Sequence, residues 1–192
     1  LAVALQGVGI GERAFQQALA FAMERRQGKS ARHTGTGMSP IAYHPDVRRM
    51  LMTMKALTQA ARVICYMTAN SIDLSHRLTD PEARQAASER AGLLTPVAKA
   101  FATDIGSEVA SLGVQIHGGM GYIEETGAAQ HLRDARIAAI YEGTNGIQAM
   151  DLVMRKLGLS GGAAMAREVE DMRQVIAQAQ AAGERFADMA AR

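Results

Sequence analysis

Apolar residues recur at helical spacing along most of the chain. Ala2, Leu5, Val8, Ile10, Phe15, Leu19, Phe21 and Ala22 predict a long helix over residues 1–26, closing on the cationic "ERRQG". The next stretch, "GKSARHTGTGMSPIAYHP", is rich in Gly, Ser, Thr and Pro and has no sustained period, so it predicts a loop. Its length is unusual for a compact bundle, and long ordered loops tend to be functional. The period resumes at Asp46 with Val47, Met50, Leu51, Met54, Leu57, Ala60, Ala61, Ile64, Cys65, Ala69 and Ile72, a second long helix. "LTDPEA" breaks it. Thr79 or Asp80 is placed to cap a third helix, whose first turn accepts Pro81. That helix reaches Gly118, and Pro96 is expected to kink or restart it.

Beyond it, "GGMGYIEETG" (Gly118 to Gly127) reads as a glycine-dense turn, "AAQHLRDARI" as a short amphipathic piece, and Thr144 to Lys156 as another helix. "LGLSGGAAM", Leu157 to Met165, has the composition of a flexible linker. The last segment is helical, with Val169, Met172, Val175, Ile176 and Ala179 in a narrow stripe that needs a surface to pack on, one that this chain need not itself contain. No strand pattern, internal repeat or sustained heptad array is present. The expected class is all-α: an up-down four-helix bundle over 1–157, a linker at 158–165, and the start of a C-terminal helical extension at 166–192.

Composition narrows the function classes. At 192 residues and 48% hydrophobic, the chain can bury a sizeable core. Lys and Arg total 21 against 19 Asp and Glu, which leaves no electrostatic footprint for nucleic acid or an anionic membrane. No run of about 18 uninterrupted apolar residues could span a bilayer. The single Cys65 has no partner for a disulfide or a zinc site and reads as a core residue. The 12 methionines, among them Met50, Met52, Met54 and Met67, read as filler of a helical core. The chain starts at Leu1 with no initiator Met, charged n-region or cleavage site, so a fragment of something longer is expected.

Several chemistries drop out. "GGMGY" has no preceding strand and no Walker lysine, which removes the dinucleotide fingerprint and the P-loop. His33, His44, His76, His117 and His131 never pair at metal-ligand spacing, so no metal site is expected. Lys99, Asp104 and Glu108 read as ordinary helix-surface charges. Residues 115–148 fit a purely structural role less well. Gln115, Gly118, Gly119 and Gly121 end a helix with more glycine than one cap needs, which suits either close approach of a ligand or a roomy turn. In "IAAIYEGTNGIQ", Glu142 follows an apolar approach and precedes Gly143. Poor solvation would raise the pKa of its carboxyl, as a base for a weakly acidic proton requires, and backbone N–H groups beside it could hold a carbonyl oxygen. Equally, Glu142 could be the acidic residue that complements the N-terminus of the next helix. Both readings are open on the residues alone.

"VQIHGGMGYIEETGAAQHLRDARIAAIYEGTNGIQ", with "AKAFATDI" before it and "ALAFAMERRQGK" near the start, resembles the C-terminal helical domain of acyl-CoA dehydrogenases from Leu1 to about Leu157. "ARIAAIYEGTNGIQAMDLVMRKL" and the helix after it resemble the long bacterial branch that includes 3-methylmercaptopropionyl-CoA dehydrogenase-like proteins. The resemblance implies an FAD-dependent oxidoreductase of fatty acid metabolism that dehydrogenates an acyl-CoA thioester. Glu142 falls on the base that removes the α-proton while the β-hydrogen leaves as hydride to flavin N5. Arg25 falls where the family contacts the FAD pyrophosphate of the neighbouring subunit, and Gln115 through Gly119 (Gly118 included) where it meets the adenosine of that cofactor. His44 falls near the partner's FAD. Thr144 and Gly146 match positions beside the chain's own flavin, and Tyr141 and Gly143 match the acyl-CoA wall. The family pattern also implies a homodimer or homotetramer, an electron-transfer flavoprotein as partner, and a cytoplasmic setting.

This sequence departs from the family at three points. Gln130 stands where the family prefers Lys or Arg, and "ERRQGK" lacks the usual aromatic and is one residue shorter. The N-terminal helical and middle β domains of the family have no counterpart here, so the chain alone is expected to be inactive. Two other functions remain open at this level: a helical interaction module that lost the chemistry, as in flavoprotein relatives implicated in DNA protection, and an acyl-CoA oxidase.

Overall fold

The computed structural model of the chain describes residues 1–183. Its helices are α1 (Ala2–Glu24), α2 (Pro45–Arg77), α3 (Pro81–His117), α4 (Gly119–Tyr122), α5 (Ala128–Ala138), α6 (Asn145–Asp151) and α7 (Ala163–Ala181). The all-α expectation holds. Asp80 is the cap that starts α3: its carboxylate accepts the Ala83 N–H at 2.9 Å, and Pro81 follows in the first turn. α2 opens on Pro45 and Asp46 and ends on His76 and Arg77, the charge order that its dipole favours.

The core lies where α3 packs between α1 and α2. Ala4, Ala14 and Ala18 of α1, Met54, Ala61 and Cys65 of α2, and Ala98, Ala102, Val109 and Ala110 of α3 are buried together, and Ala135 of α5 closes the cluster. The fourth side of the bundle is therefore the 11-residue α5, while the longer α7 packs on the outside of α3. Alanine at so many contacts lets the helices approach closely. At Gly7 of α1 the approach is backbone to backbone: a Cβ there would lie 2.2 Å from the Ala102 carbonyl oxygen. Cys65, Met50 and Met54 are core residues as expected, but Met52 points outward and is 67% exposed. Among the described residues no helix is long and apolar enough to cross a membrane.

Three expectations need correction. Pro96 neither restarts nor ends α3, which runs unbroken for 37 residues; the ring is buried, and packing of both helix halves outweighs the roughly 3 kcal/mol interior penalty of proline. The helix expected at Thr144–Lys156 changes winding halfway, with α6 ending at Asp151 and a π turn spanning Leu152–Lys156, where the Leu157 N–H reaches the Leu152 carbonyl. Residues 158–165 are an ordered corner, not a flexible linker. Leu159–Gly162 form a 3₁₀ turn, α7 has begun by Ala163, and the Ser160 hydroxyl donates to Glu89 of α3. Crossed ion pairs then bind α7 to α3: Arg90 to Glu168 at 2.7 Å, and Arg167 to Glu89. The apolar stripe of the extension, expected to need a surface that this chain need not contain, is left largely uncovered by the described residues. Val169 and Ala179 are half-buried, whereas Met172, Val175 and Ile176 are exposed, and positions 184–192 of the extension lie outside the described residues.

Candidate active site

Two clefts gather most of the residues singled out from sequence, and they open at opposite ends of α1. The first, of about 450 Å³, lies between the start of α1 (Leu1, Val3, Gln6), the middle of α3 (Thr95, Lys99) and the segment after α5 (Tyr141, Glu142, Gln148). α5 delivers that segment by turning Ala138 and Ala139 into the core and leaving Ile137 and Ile140 outside. The chain then bends sharply. Glu142 has φ +55° and Gly143 φ +82°. A non-glycine residue in the left-handed region is strained, and such strain collects at functional sites. Thr144 ends the bend as the cap of α6, its hydroxyl accepting the Ile147 N–H at 3.3 Å. Glu142 thus lies two residues outside that cap and not in the first turn of α6.

The desolvated Glu142 expected from its apolar neighbours is not what this chain builds. The side chain is exposed, because Ile137, Ile140 and Ile147 point outward and are 54%, 47% and 52% exposed themselves. The backbone is poised differently. The N–H groups of Glu142, Gly143 and Thr144 have no acceptor among the described residues, whereas the Glu142 and Gly143 carbonyls accept from Gln148 Nε2 at 3.2 and 3.4 Å. Tyr141 is half-buried and donates its hydroxyl to Gln6 Oε1 at 2.6 Å, tying the segment to α1. Gly143 is half-buried, and Thr144 and Gly146 are exposed on the outer side of the bend.

Lys99 was misread as a surface charge. It is 5% exposed, and its ammonium donates to the Gly143 carbonyl at 2.8 Å and to Asn145 Oδ1 at 2.9 Å. Burial pushes its pKa below the ordinary lysine value, with Asp104 opposing the shift. Asp104 itself accepts from Asn145 Nδ2 at 2.7 Å, and Glu108 stays on the surface. The signal was available in the sequence. The residues one turn from Lys99 are Thr95, Pro96, Ala102 and Thr103, with no carboxylate among them and little bulk.

The second cleft, of about 370 Å³, joins Phe21, Arg25 and Gln27 to Ile41, His117, Gly118, Gly119 and Met120. Arg25 lines it, exposed and without an ion pair among the described residues, whereas Arg26 turns away to donate to the Met38 carbonyl. The long loop is ordered by its own bonds: Ser30 N–H to Ser39 Oγ, the Ser30 hydroxyl to the Tyr43 carbonyl, and His44 Nε2–H to the Gln27 carbonyl at 2.7 Å. His44 therefore reaches the cleft only through Gln27. Gln115 is exposed beside it, its carbonyl accepting from Gly118. The glycines separate into roles. Gly118 caps α3 at φ +61°, and a Cβ on Gly121 would lie 2.3 Å from the Val114 carbonyl oxygen, so packing accounts for both. Gly119 has open space where its Cβ would be, and nothing in the chain's own packing requires glycine there. Sequence reasoning passed over His117, which stacks on Phe21 with centroids 4.4 Å apart and donates from Nδ1 to the Gly113 carbonyl.

Comparison with known proteins places this arrangement. The family model described as the acyl-CoA dehydrogenase C-terminal domain matches residues 1–157. The 3-methylmercaptopropionyl-CoA dehydrogenase of Ruegeria pomeroyi is 50% identical over 169 residues, which cover 88% of this chain and 29% of that one. Among solved structures, butyryl-CoA dehydrogenase from Megasphaera elsdenii superposes with a TM-score of 0.60 at 31% identity over 81% of this chain and 35% of its own. An acyl-CoA dehydrogenase from Bacillus anthracis complexed with FAD gives 0.68 at 28% identity, over 83% and 28%. The chain thus spans under a third of the R. pomeroyi relative's length. With a family match over 1–157 and this helical architecture, the chain belongs to the acyl-CoA dehydrogenase family, where it corresponds to the C-terminal domain.

Proposed function

We propose that the chain is the base-bearing, subunit-joining domain of an FAD-dependent acyl-CoA dehydrogenase, with Glu142 removing the α-proton of an acyl-CoA thioester. The observation that carries this reading is the strained bend: a glutamate held at φ +55° on the rim of a cleft, followed by a glycine and flanked by backbone N–H groups without acceptors among the described residues. Gly143 leaves room for a thioester to lie against the backbone. A thioester oxygen placed on the free N–H groups becomes more electron-withdrawing, which acidifies the α-carbon; preorganised donors of this kind are worth about 3–4 kcal/mol in acyl chemistry. The carboxylate then takes the α-proton as general base, a role that contributes about 10²–10⁴-fold. The Glu142 carboxylate is exposed, so a bound acyl chain would supply the desolvation that this chain's own packing does not. Tyr141 and Gln6 form one wall of the substrate cleft.

Bound FAD would supply the acceptor for the β-hydrogen. The residues fit such a cofactor at two places. Thr144 and Gly146 are exposed beside Glu142, and Arg25 with Gly118 and Gly119 offers an exposed cation and an open glycine backbone for a phosphate-bearing group. Gln6 and Arg25 are 19 residues apart on or at the end of α1, about 28 Å at the helical rise. That separation supports two cofactors, the chain's own at Glu142 and the neighbouring subunit's at Arg25, Gln115 and His44, hence a homodimer or homotetramer. An electron-transfer flavoprotein is the proposed electron acceptor. The test is Glu142→Gln in the full-length protein. FAD content and acyl-CoA binding should persist, while flavin bleaching by saturating acyl-CoA slows by at least about 10²-fold. Bleaching within a few-fold of wild type would end the assignment.

A further inference from the structure

Lys99 raises a question the base assignment does not answer. Its ammonium is buried, yet no carboxylate lies within ion-pair reach of it among the described residues. An apolar side chain of similar length would fill the same space without the desolvation cost of a charge, so packing alone does not call for lysine. Both of its hydrogen bonds go to the bend that carries Glu142, one to the Gly143 carbonyl and one to Asn145 Oδ1. Asn145 is in turn fixed from α3, donating to Thr103 Oγ1 at 3.0 Å and to Asp104 at 2.7 Å. Peptide planarity carries the consequence outward. In a trans peptide the C=O and the following N–H point in opposite directions, so drawing the Gly143 carbonyl onto Lys99 turns the Thr144 N–H away from α3. Gln148 does the same for the peptide before it: its contact to the Glu142 carbonyl turns the Gly143 N–H away. The outward aim of two of the three free donors, the Gly143 and Thr144 N–H groups, therefore follows from where these carbonyls are held.

We propose that Lys99 is a positioning residue: acting through the Gly143 carbonyl and Asn145, it holds the strained Glu142–Gly143 backbone in the conformation that aims the carboxylate and the free N–H groups at a substrate. The proposal rests on the reading of Glu142 as the base. Burial lowers the pKa of Lys99, as its desolvated position requires, and leaves its role as hydrogen-bond donor intact.

The test uses the full-length, FAD-loaded protein with four variants, Lys99→Met, Asn145→Ala, the double variant and Glu142→Gln. Lys99→Met keeps the length and loses the donor. It is expected to retain FAD and to leave the KM for acyl-CoA within about two-fold, while the flavin-reduction rate per bound flavin falls by about 10–100-fold, as for a reacting group displaced by a fraction of an ångström. Asn145→Ala should give a smaller loss in the same parameter, and the double variant should be no slower than Lys99→Met, because both act on one bend. Reduction per bound flavin at the wild-type rate in Lys99→Met, with only thermal stability lowered, would overturn the proposal. If Lys99→Met does not accumulate as folded holoprotein, Asn145→Ala decides alone, and an unchanged rate there overturns it. Glu142→Gln separates the two claims. If it is inactive while Lys99→Met and Asn145→Ala are normal, the positioning role fails and the base stands; if it is active, the base itself fails.

Discussion

Two glycines in the first helix, two residues apart, allow a controlled test of the packing that builds the cleft beside Glu142. Adding a Cβ at Gly7 would put it 2.2 Å from the Ala102 carbonyl oxygen and 2.7 Å from its carbon, both backbone atoms of α3. Ordinary contact begins at 3.4 Å, so α1 must move by about 1.2 Å relative to α3. That shift loosens a core of short side chains, where overpacking costs about 1–3 kcal/mol. Set against it is the gain of about 0.8–1 kcal/mol for alanine over glycine inside a helix. Gly9 has nothing within 4 Å of its Cβ position and should show only that gain. Gly7→Ala is therefore expected to lose up to about 2 kcal/mol and Gly9→Ala to gain somewhat less than 1, differing by the overpacking term itself. Urea denaturation followed by helical circular dichroism measures both. The cleft adds a second readout, because Leu1, Val3 and Gln6 ride on the displaced helix and Gln6 holds Tyr141. Gly7→Ala should accordingly raise the KM for acyl-CoA, and Gly9→Ala should leave it alone. Equal stabilisation by the two substitutions would refute the claim of a backbone-to-backbone crossing.

Three further outcomes follow from the geometry. Gly143→Ala should lower stability by about 1–2 kcal/mol, because a left-handed backbone disfavours any Cβ and this one would lie 3.0 Å from Gln148 Nε2; thermal melting together with flavin-reduction rates checks it. Glu89 is held below the ordinary carboxylate range by hydrogen bonds from Ser160 first, then Gln85 and Arg167, so its contribution is complete above the unfolded glutamate pKa and is lost as the pH falls through the folded one. Amide exchange in α7 should therefore accelerate under acid, before α1 and α3 respond, and simultaneous loss of protection in all three would contradict this. Arg25→Gln should weaken FAD retention by about ten-fold or more, the scale of one charge-assisted hydrogen bond, whereas Arg26→Gln should not, since Arg26 is committed to the Met38 carbonyl; FAD content after dialysis distinguishes them.

What could be read from the sequence, and what could not, follows from the range of the forces involved. The three long helices and the Asp80 cap were legible because a 3.6-residue period and a capping carboxylate are local signals. Pro96 misled because its penalty is local while the packing that overrides it comes from two other helices. The corner at 158–165 misled for the same reason: glycine and serine suggest flexibility, but Ser160 is bonded to a glutamate 71 positions away. Glu142 was singled out through the glycine after it, and it lies on a strained bend beside a cleft, though the poor solvation expected for it is absent because Ile137, Ile140 and Ile147 point away from the core. Lys99 was missed because a lysine among alanines looks like a surface charge, and its acceptors are 44 and 46 residues further along the chain.

The central claim is that Glu142 is the base, and proton exchange at the substrate α-carbon tests it most directly. Full-length wild-type protein and Glu142→Gln, both loaded with FAD, are incubated anaerobically in D₂O with an acyl-CoA, and deuterium at the α-carbon is followed by mass spectrometry. The expected result is rapid incorporation with wild type and none above background with Glu142→Gln, at equal FAD content and ligand affinity. Incorporation at the wild-type rate in Glu142→Gln would show that another group takes the proton.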